Sequence, residues 1–129
     1  MLAALERVQV NNNGSFGLRG DGSGGAGGVI IEFTDSQASN SNNGVVSAGN
    51  LASVGIVINR SAIVNNATNG LQTTAAGQNG VIFVGNSTIA GNGTGVNATA
   101  GGVILTNGNN SITSNFISNG TFSGPLPLQ

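Results

Sequence analysis

The stretch NNATNGLQTTA, residues 65–75, has a close counterpart in GNGTGVNATA, residues 91–100. In each stretch a glycine precedes an apolar residue, and small or amide residues surround the pair. Aligning such pairs along the chain gives spacings of 27, 26 and 25 residues. The aligned pairs are Gly17-Leu18, Gly44-Val45, Gly70-Leu71 and Gly95-Val96. A recurring unit of this length predicts a solenoid in which each repeat forms one coil.

The same alignment brings further residues into rows. Two apolar rows are Val10, Ala38, Ile63, Ile89 and Ile112, and Ile31, Ile56, Ile82 and Ile104; a third row, two residues on, contains Phe33, Ile58, Val84 and Thr106. Between the rows lie Gly, Asn, Ser and Thr corners, and no sustained helical period is present. We therefore expect an all-β fold, a single-stranded parallel β-helix (solenoid) of about five coils with 25–27 residues per coil. Five coils would form a rod about 24 Å long.

A row of amides accompanies the apolar rows. Asn66, Asn92 and Asn115 align with one another. Amide side chains that stack in register can hydrogen-bond along the stacking direction, as they do in cross-β ladders. We expect this row to have a structural role.

Five segments carry a resemblance to a known group of proteins. They are NNGSFGLRGDG (12–22), NSNNGVVSAG (40–49), NNATNGLQTTA (65–75), GNSTIAGNGTGV (85–96) and GNNSITSN (108–115). The chain resembles the right-handed parallel β-helix repeat proteins, a superfamily that contains pectate lyases, phage tailspikes and many bacterial secreted or surface proteins. The resemblance implies a right-handed coil, which the usual chirality of parallel crossovers also favours. It further implies an extracellular or cell-surface location, and it leaves the function open because one fold hosts many activities.

The coils predict one β-helix domain, residues 1–118, followed by a C-terminal tail, residues 119–129. Residues 1–7 are expected to form a short cap over the first coil, with Leu2 and Leu5 facing the core. The tail would cap the last coil or cover a face of a sheet. Its prolines, Pro125 and Pro127, are expected to prevent it from extending a sheet.

Composition excludes several function classes. The charged residues are Glu6, Arg7, Arg19, Asp21, Glu32, Asp35 and Arg60, and the net charge is −1. This balance favours neither nucleic acid nor an anionic membrane as a partner, and no apolar run is long enough for membrane insertion. The opening MLAALERVQ is too short for a secretory signal. Cys, His, Lys, Tyr and Trp are absent, so thiolate or imidazole metal sites and Schiff-base chemistry are excluded, and we expect no metal and no cofactor.

Three charged residues form the first candidate binding site. Arg7, Asp35 and Arg60 align, and Asn86 and Asn109 continue their row. Charges that alternate along neighbouring coils predict an exposed ladder of ion pairs. The alternative is a site that binds or degrades a polysaccharide, which the resemblance implies. The lyases of that superfamily need an acidic calcium cluster, and this sequence has none, so we expect no catalytic residues and no enzyme activity.

The second candidate site is a set of apolar residues for self-association. If the isoleucine row 31, 56, 82 and 104 faces inward, strand alternation turns the intervening residues outward. The outward apolar residues include Val57, Val81, Phe83, Val103 and Leu105. A sheet that is apolar on both faces is expected to be covered, either by the tail or by another subunit. We therefore predict a structural or interaction module that forms a homo-oligomer.

Overall fold

A computed structural model of the chain describes residues 1–25 and 27–126. These residues form sixteen strands and no helix, and every sheet is parallel. The strands stack into a β-solenoid of about five coils, so the predicted all-β solenoid fold is confirmed. Nowhere in the described ranges is there a helix with the length and apolar character needed to cross a membrane.

Each coil contributes one strand to each of three sheets. Sheet I contains, in spatial order, β1 (Leu2–Glu6), β4 (Val29–Thr34), β7 (Val54–Asn59), β10 (Gly80–Gly85), β13 (Val103–Thr106) and β16 (Gly124–Pro125). Sheet II contains β2 (Gln9–Asn11), β5 (Gln37–Ser39), β8 (Ala62–Val64), β11 (Thr88–Ala90) and β14 (Ser111–Thr113). Sheet III contains β3 (Phe16–Asp21), β6 (Asn43–Gly49), β9 (Asn69–Ala75), β12 (Thr94–Ala98) and β15 (Ser118–Gly120).

The core lies between the three sheets and consists of the predicted rows. In sheet I, Ile31, Ile56, Ile82 and Ile104 pair in register from coil to coil. In sheet II, Val10, Ala38, Ile63, Ile89 and Ile112 do the same. Both rows belong to one hydrophobic cluster, to which Phe33 and Leu71 also contribute. The alignment of the repeats therefore predicted the register of the strands correctly.

The amide row forms a buried ladder at the corner between sheets II and III. Asn92 Oδ1 accepts hydrogen bonds from the backbone N–H of Asn66 at 3.0 Å and from its Nδ2 at 2.9 Å. Asn115 Oδ1 accepts the equivalent pair from Asn92, both at 3.0 Å. Nδ2 of Asn92 also donates to Ile63 O at 3.0 Å. The ladder thus satisfies backbone groups at a corner where no strand pairing is available.

A column of glycines leaves room for this ladder. A Cβ atom on Gly44 would lie 2.7 Å from Asn66 Nδ2, and one on Gly70 would lie 2.8 Å from Asn92 Nδ2 and 2.7 Å from Gly95 O. Such contacts are too short for any side chain. The amide of one coil therefore requires a glycine in the preceding coil, which explains why Asn and Gly recur together.

A second ladder of hydroxyl groups closes the corner between sheets I and II. The N–H of Ser36 donates to Ser61 Oγ, and the N–H of Ser61 donates to Ser87 Oγ, both at 3.1 Å. Asn110 Oδ1 accepts from the N–H of Ser87 at 2.9 Å. The residues before Ser36 and Ser61 have a positive φ, 50° at Asp35 and 46° at Arg60, and so has the residue before Val8 in the first coil, 54° at Arg7. This left-handed backbone turns the chain sharply and directs these three side chains outward.

Both ends of the chain differ from the sequence-based expectation. Residues Leu2–Glu6 form the first strand of sheet I, and Leu2, which we expected to face the core, is 73% exposed, whereas Leu5 does pack against the core. Strand alternation explains this difference, because Leu2 lies an odd number of positions from Leu5.

At the other end, Gly124–Pro125 pairs with β13, so Pro125 does not prevent the tail from extending sheet I. Proline is tolerated there because the strand lies at the edge, where one side needs no donor. The described part of the tail, residues 119–126, runs along the edge of sheet I, and the outward apolar residues of β4 and β7 remain exposed, Ile30 by 51% and Val57 by 39%. Pro127 lies outside the described residues.

We predict that Asn92→Ala lowers the free energy of unfolding by roughly 3 kcal/mol. The substitution leaves two buried donors of Asn66 without their acceptor. Urea denaturation followed by circular dichroism measures the change. Asn79→Ala is the matched control, because Asn79 lies in an exposed turn, and it should change the stability by less than about 0.5 kcal/mol. Equal losses in the two variants would contradict a supporting role for the ladder.

Candidate functional site

An open groove follows the corner between sheets I and II and contains the predicted charged row. Its volume is about 640 Å³. We call it the polar groove and define it by its outward side chains, Arg7, Gln9, Asp35, Gln37, Arg60, Asn86 and Thr88. The charged residues come from the left-handed corner positions. Gln9, Gln37 and Thr88 occupy the same position of β2, β5 and β11. In β8, which lies between β5 and β11, this position is Ala62.

The predicted ladder of ion pairs forms only in part. Arg60 binds Asp35 with two parallel hydrogen bonds, Nε to Oδ1 at 2.8 Å and Nη2 to Oδ2 at 2.9 Å. Arg7 instead forms an ion pair with Glu6, its neighbour in the chain, at 3.2 Å. Asn86 and Asn109 continue the row and hydrogen-bond to each other. The predicted positions are thus adjacent in space, but the partner of Arg7 differs from the expected Asp35.

The electrostatics of the groove follow from this pairing. The hydrogen bond from Arg60 lowers the pKa of Asp35, against a smaller opposing effect of burial. The same hydrogen bond raises the pKa of Arg60. Asp35 is therefore held as a carboxylate and Arg60 as a guanidinium, so that neither is suited to exchange a proton with a substrate near neutral pH. The described residues contain no cluster of three or more acidic, His or Cys side chains that could hold a metal ion.

A second surface lies on the outward side of sheet I, and we call it the apolar face. Its members lie in two outward columns. One column contains Leu2, Ile30, Gly55, Val81 and Val103, and the other contains Ala4, Glu32, Val57, Phe83 and Leu105. Val57, Val81, Phe83, Val103 and Leu105 all point outward, as we expected from strand alternation.

The apolar face is uneven. Gly55 interrupts the first column between Ile30 and Val81, and a Cβ atom there would meet no atom within 4 Å. Phe83 and Leu126 border a shallow cavity of about 180 Å³. The face therefore offers a notch at Gly55 and a large aromatic side chain on the adjacent coil.

Sequence analysis did not identify several of these residues. Gln9, Gln37 and Thr88 could have been found, because they share one position of the repeat alignment. The notch at Gly55 could also have been predicted, because this glycine falls among outward apolar residues in the alignment. The ion pair between Arg19 and Asp21, at 2.8 Å on sheet III, lies within a single strand and outside the polar groove.

The chain matches no model of a known protein family, and no curated protein or solved structure is significantly similar to it. The polar groove and the apolar face are therefore the features from which a function can be inferred.

We predict that Asp35 contributes to the acid sensitivity of the protein. Because its folded pKa is lowered, its contribution to stability is present above the ordinary Asp pKa, near pH 4, and is lost as the pH falls through the lowered value. Asp35→Asn should remove this part of the pH dependence, and Asn tolerates the positive φ of the site. Urea denaturation from about pH 6 to pH 2 measures it.

The partner variant provides the control for this experiment. Arg60→Gln should remove the same segment of the pH dependence, and the double variant should remove no more than either single one. Asp21, whose pKa is lowered mainly by hydrogen bonds from Ser23, should supply the pH dependence that remains. Retention of the full acid dependence in Asp35→Asn would contradict the prediction.

Proposed function

We propose that the protein is a non-catalytic structural or interaction module that self-associates through the apolar face. One observation supports this proposal above the others: the outward side of sheet I is apolar over several coils, and the described residues leave it exposed on the first three coils and only half-buried at Val81, Phe83, Val103 and Leu105. Leu2, Ile30 and Val57 are 73%, 51% and 39% exposed. An apolar patch of this kind on a soluble protein usually marks an interaction site.

A second copy of the chain is the partner that fits the face. A two-fold axis between Phe83 and Gly55 places the aromatic ring of each copy at the notch of the other, so that both contacts form at once. Such self-complementary dimers are the commonest oligomers. Glu32 is the one charged member of the two columns, so packing two such faces removes few charges from water. Aromatic side chains that fill pockets dominate interfaces of this kind.

The superfamily, the handedness and the location that we propose follow from the sequence resemblance. We propose a right-handed β-helix related to the pectate-lyase-like superfamily, in a secreted or surface protein of a bacterium. The repeat period and the parallel strand pairing support this assignment. In that setting a rod that associates laterally would serve as a scaffold or an adhesive element.

We predict that Phe83→Asp strongly weakens self-association and leaves the solenoid folded. Light scattering on a sizing column, over a hundredfold range of concentration, should show a species of twice the 12.6 kDa chain mass for the natural sequence. The substitution should weaken the dimer at least about 30-fold, as expected for a central aromatic residue. Gln78→Asp, which adds the same charge in an exposed turn, should leave the dimer unchanged.

A second substitution tests the geometry of the dimer. Gly55→Leu adds a side chain in open space, so the monomer should tolerate it. Because the new side chain fills the notch that receives Phe83, it should weaken the dimer. If the natural chain is monomeric at every concentration, or if Phe83→Asp leaves its mass unchanged, the apolar face is not the interface.

The polar groove supports a second candidate function, the binding of a neutral polysaccharide. Its two arginines are already paired with carboxylates, so they do not favour an acidic ligand. The remaining outward groups are amides and a hydroxyl, which donate and accept hydrogen bonds as sugar hydroxyls require. No aromatic side chain lines the groove in the described part of the chain, so sugar stacking would not contribute and the affinity should be modest.

We predict that Gln9→Ala weakens binding of a neutral polysaccharide about fivefold, the effect of one lost hydrogen bond. Gln72→Ala, on the outward side of sheet III, is the matched control and should bind as the natural chain does. Affinity electrophoresis with neutral and acidic polysaccharides measures the difference. If no neutral polysaccharide retards the protein, or if both variants bind equally well, the groove is not a sugar site.

A further inference from the structure

The C-terminal end of the solenoid is closed in one sheet only. Strand β16 gives sheet I one strand more than sheets II and III have in the described residues. The N–H of Ser123 donates to Ile104 O at 2.8 Å, that of Leu126 donates to Thr106 O at 2.9 Å, and Phe122 packs against the core. Strand β16 therefore occupies the place that the first strand of a sixth coil would take.

Within residues 1–25 and 27–126, the other two sheets have no further strand at this end. Strands β14 and β15 are the outermost strands of sheets II and III. The turn between them carries Phe116 and Ile117, whose side chains are 83% and 80% exposed. Unpaired strand edges beside exposed apolar side chains are a template for the addition of another chain.

The first coil is complementary to this open end. Along the amide ladder, the N–H of each coil donates to a side-chain oxygen of the next, as Asn13 does to Ser41 Oγ at 3.3 Å and Asn92 does to Asn115 Oδ1 at 3.0 Å. Among the hydrogen bonds of residues 1–25 and 27–126, the N–H of Asn115 has no acceptor and the side chain of Asn13 has no partner. A second copy stacked on the last coil would place Asn13 where the next amide of the ladder belongs.

Two further features of the first coil match the last one. Val10 occupies the same core row as Ile112, so the apolar core would continue across the junction. The first coil turns between sheets II and III through Gly14 and Ser15, and a Cβ on Gly14 would meet no atom within 4 Å. This small turn leaves space for Phe116 and Ile117.

We propose that residues 121–126 act as a guard strand that keeps the first coil of a second copy off the end of the solenoid. Strand β1 of the incoming copy competes with β16 for the edge of β13. It offers five residues for pairing, whereas β16 offers two, of which Pro125 has no N–H. When the guard strand is displaced, copies join head to tail, and because this contact does not close, the product is a filament.

The test is a chain that ends at Gly120. It should form straight filaments in electron micrographs, with the repeat of about 4.8 Å along the axis that stacked strands give in fibre diffraction, whereas the full chain should form none. Asn13→Lys with Ser15→Lys in the shortened chain should suppress the filaments, because both side chains are exposed in the monomer and face the junction. Ser53→Lys with Gln78→Lys, in exposed turns halfway along the rod, adds the same charge and should not suppress them.

Two results would overturn the proposal. One is a shortened chain that stays monomeric with its β circular dichroism intact, and the other is an aggregate that responds equally to both pairs of lysines. If the shortened chain does not fold, Phe122→Ser in the full chain is tested instead. This substitution removes the packing of Phe122 against the core and leaves the guard strand in the chain. The Phe122→Ser variant should form filaments, and Asn13→Lys with Ser15→Lys should suppress them. A folded monomer would again contradict the guard role of residues 121–126.

The lateral dimer is tested separately from the filament. Phe83→Asp in the shortened chain should remove side-by-side association and leave the filaments intact, because Phe83 lies on the side of the rod. Loss of the filaments in this variant would mean that the lateral contact, rather than the open end, drives assembly.

Discussion

The hydrogen bonds between Asn66, Asn92 and Asn115 hold successive coils in one register. They require a glycine beside each amide, since any side chain there would collide with Nδ2. Because strand side chains alternate between the two faces, a shift of one residue would exchange the inward and outward sets. The composition of the apolar face and of the polar groove is therefore a consequence of the amide ladder.

Much of the fold was predictable because the repeat reports register directly. Residues that occupy one position of the coil experience one environment, so their chemistry recurs with the period, as it does for Ile56, Ile82 and Ile104. The ends were less predictable because each lacks a neighbouring coil. Leu2 was expected to face inward from its apolarity alone, and its strand alternation turns it outward. Pro125 was expected to end the sheet, yet an edge strand tolerates it.

The candidate sites were predictable in position and less so in detail. The alignment placed Arg7, Asp35 and Arg60 in one row. A long side chain can reach several partners, however, and Arg7 forms its ion pair with Glu6 in its own coil. Spacing along the chain does not determine such choices, because they depend on rotamers at an exposed corner. The amides of the groove were overlooked because Gln9 and Gln37 carry no charge, although they share a column.

The distribution of charge shows why a solenoid of this composition needs a guard strand. Every coil offers the next the same pairing edges, so the repeat itself contains no signal to stop. Natural sheets protect such edges with charged side chains, with proline or with a covering segment. All seven charged residues of this chain lie between Glu6 and Arg60, and none lies in the second half. Charge can therefore discourage addition at the first coil but not at the last, where a short strand that contains proline has to perform this role.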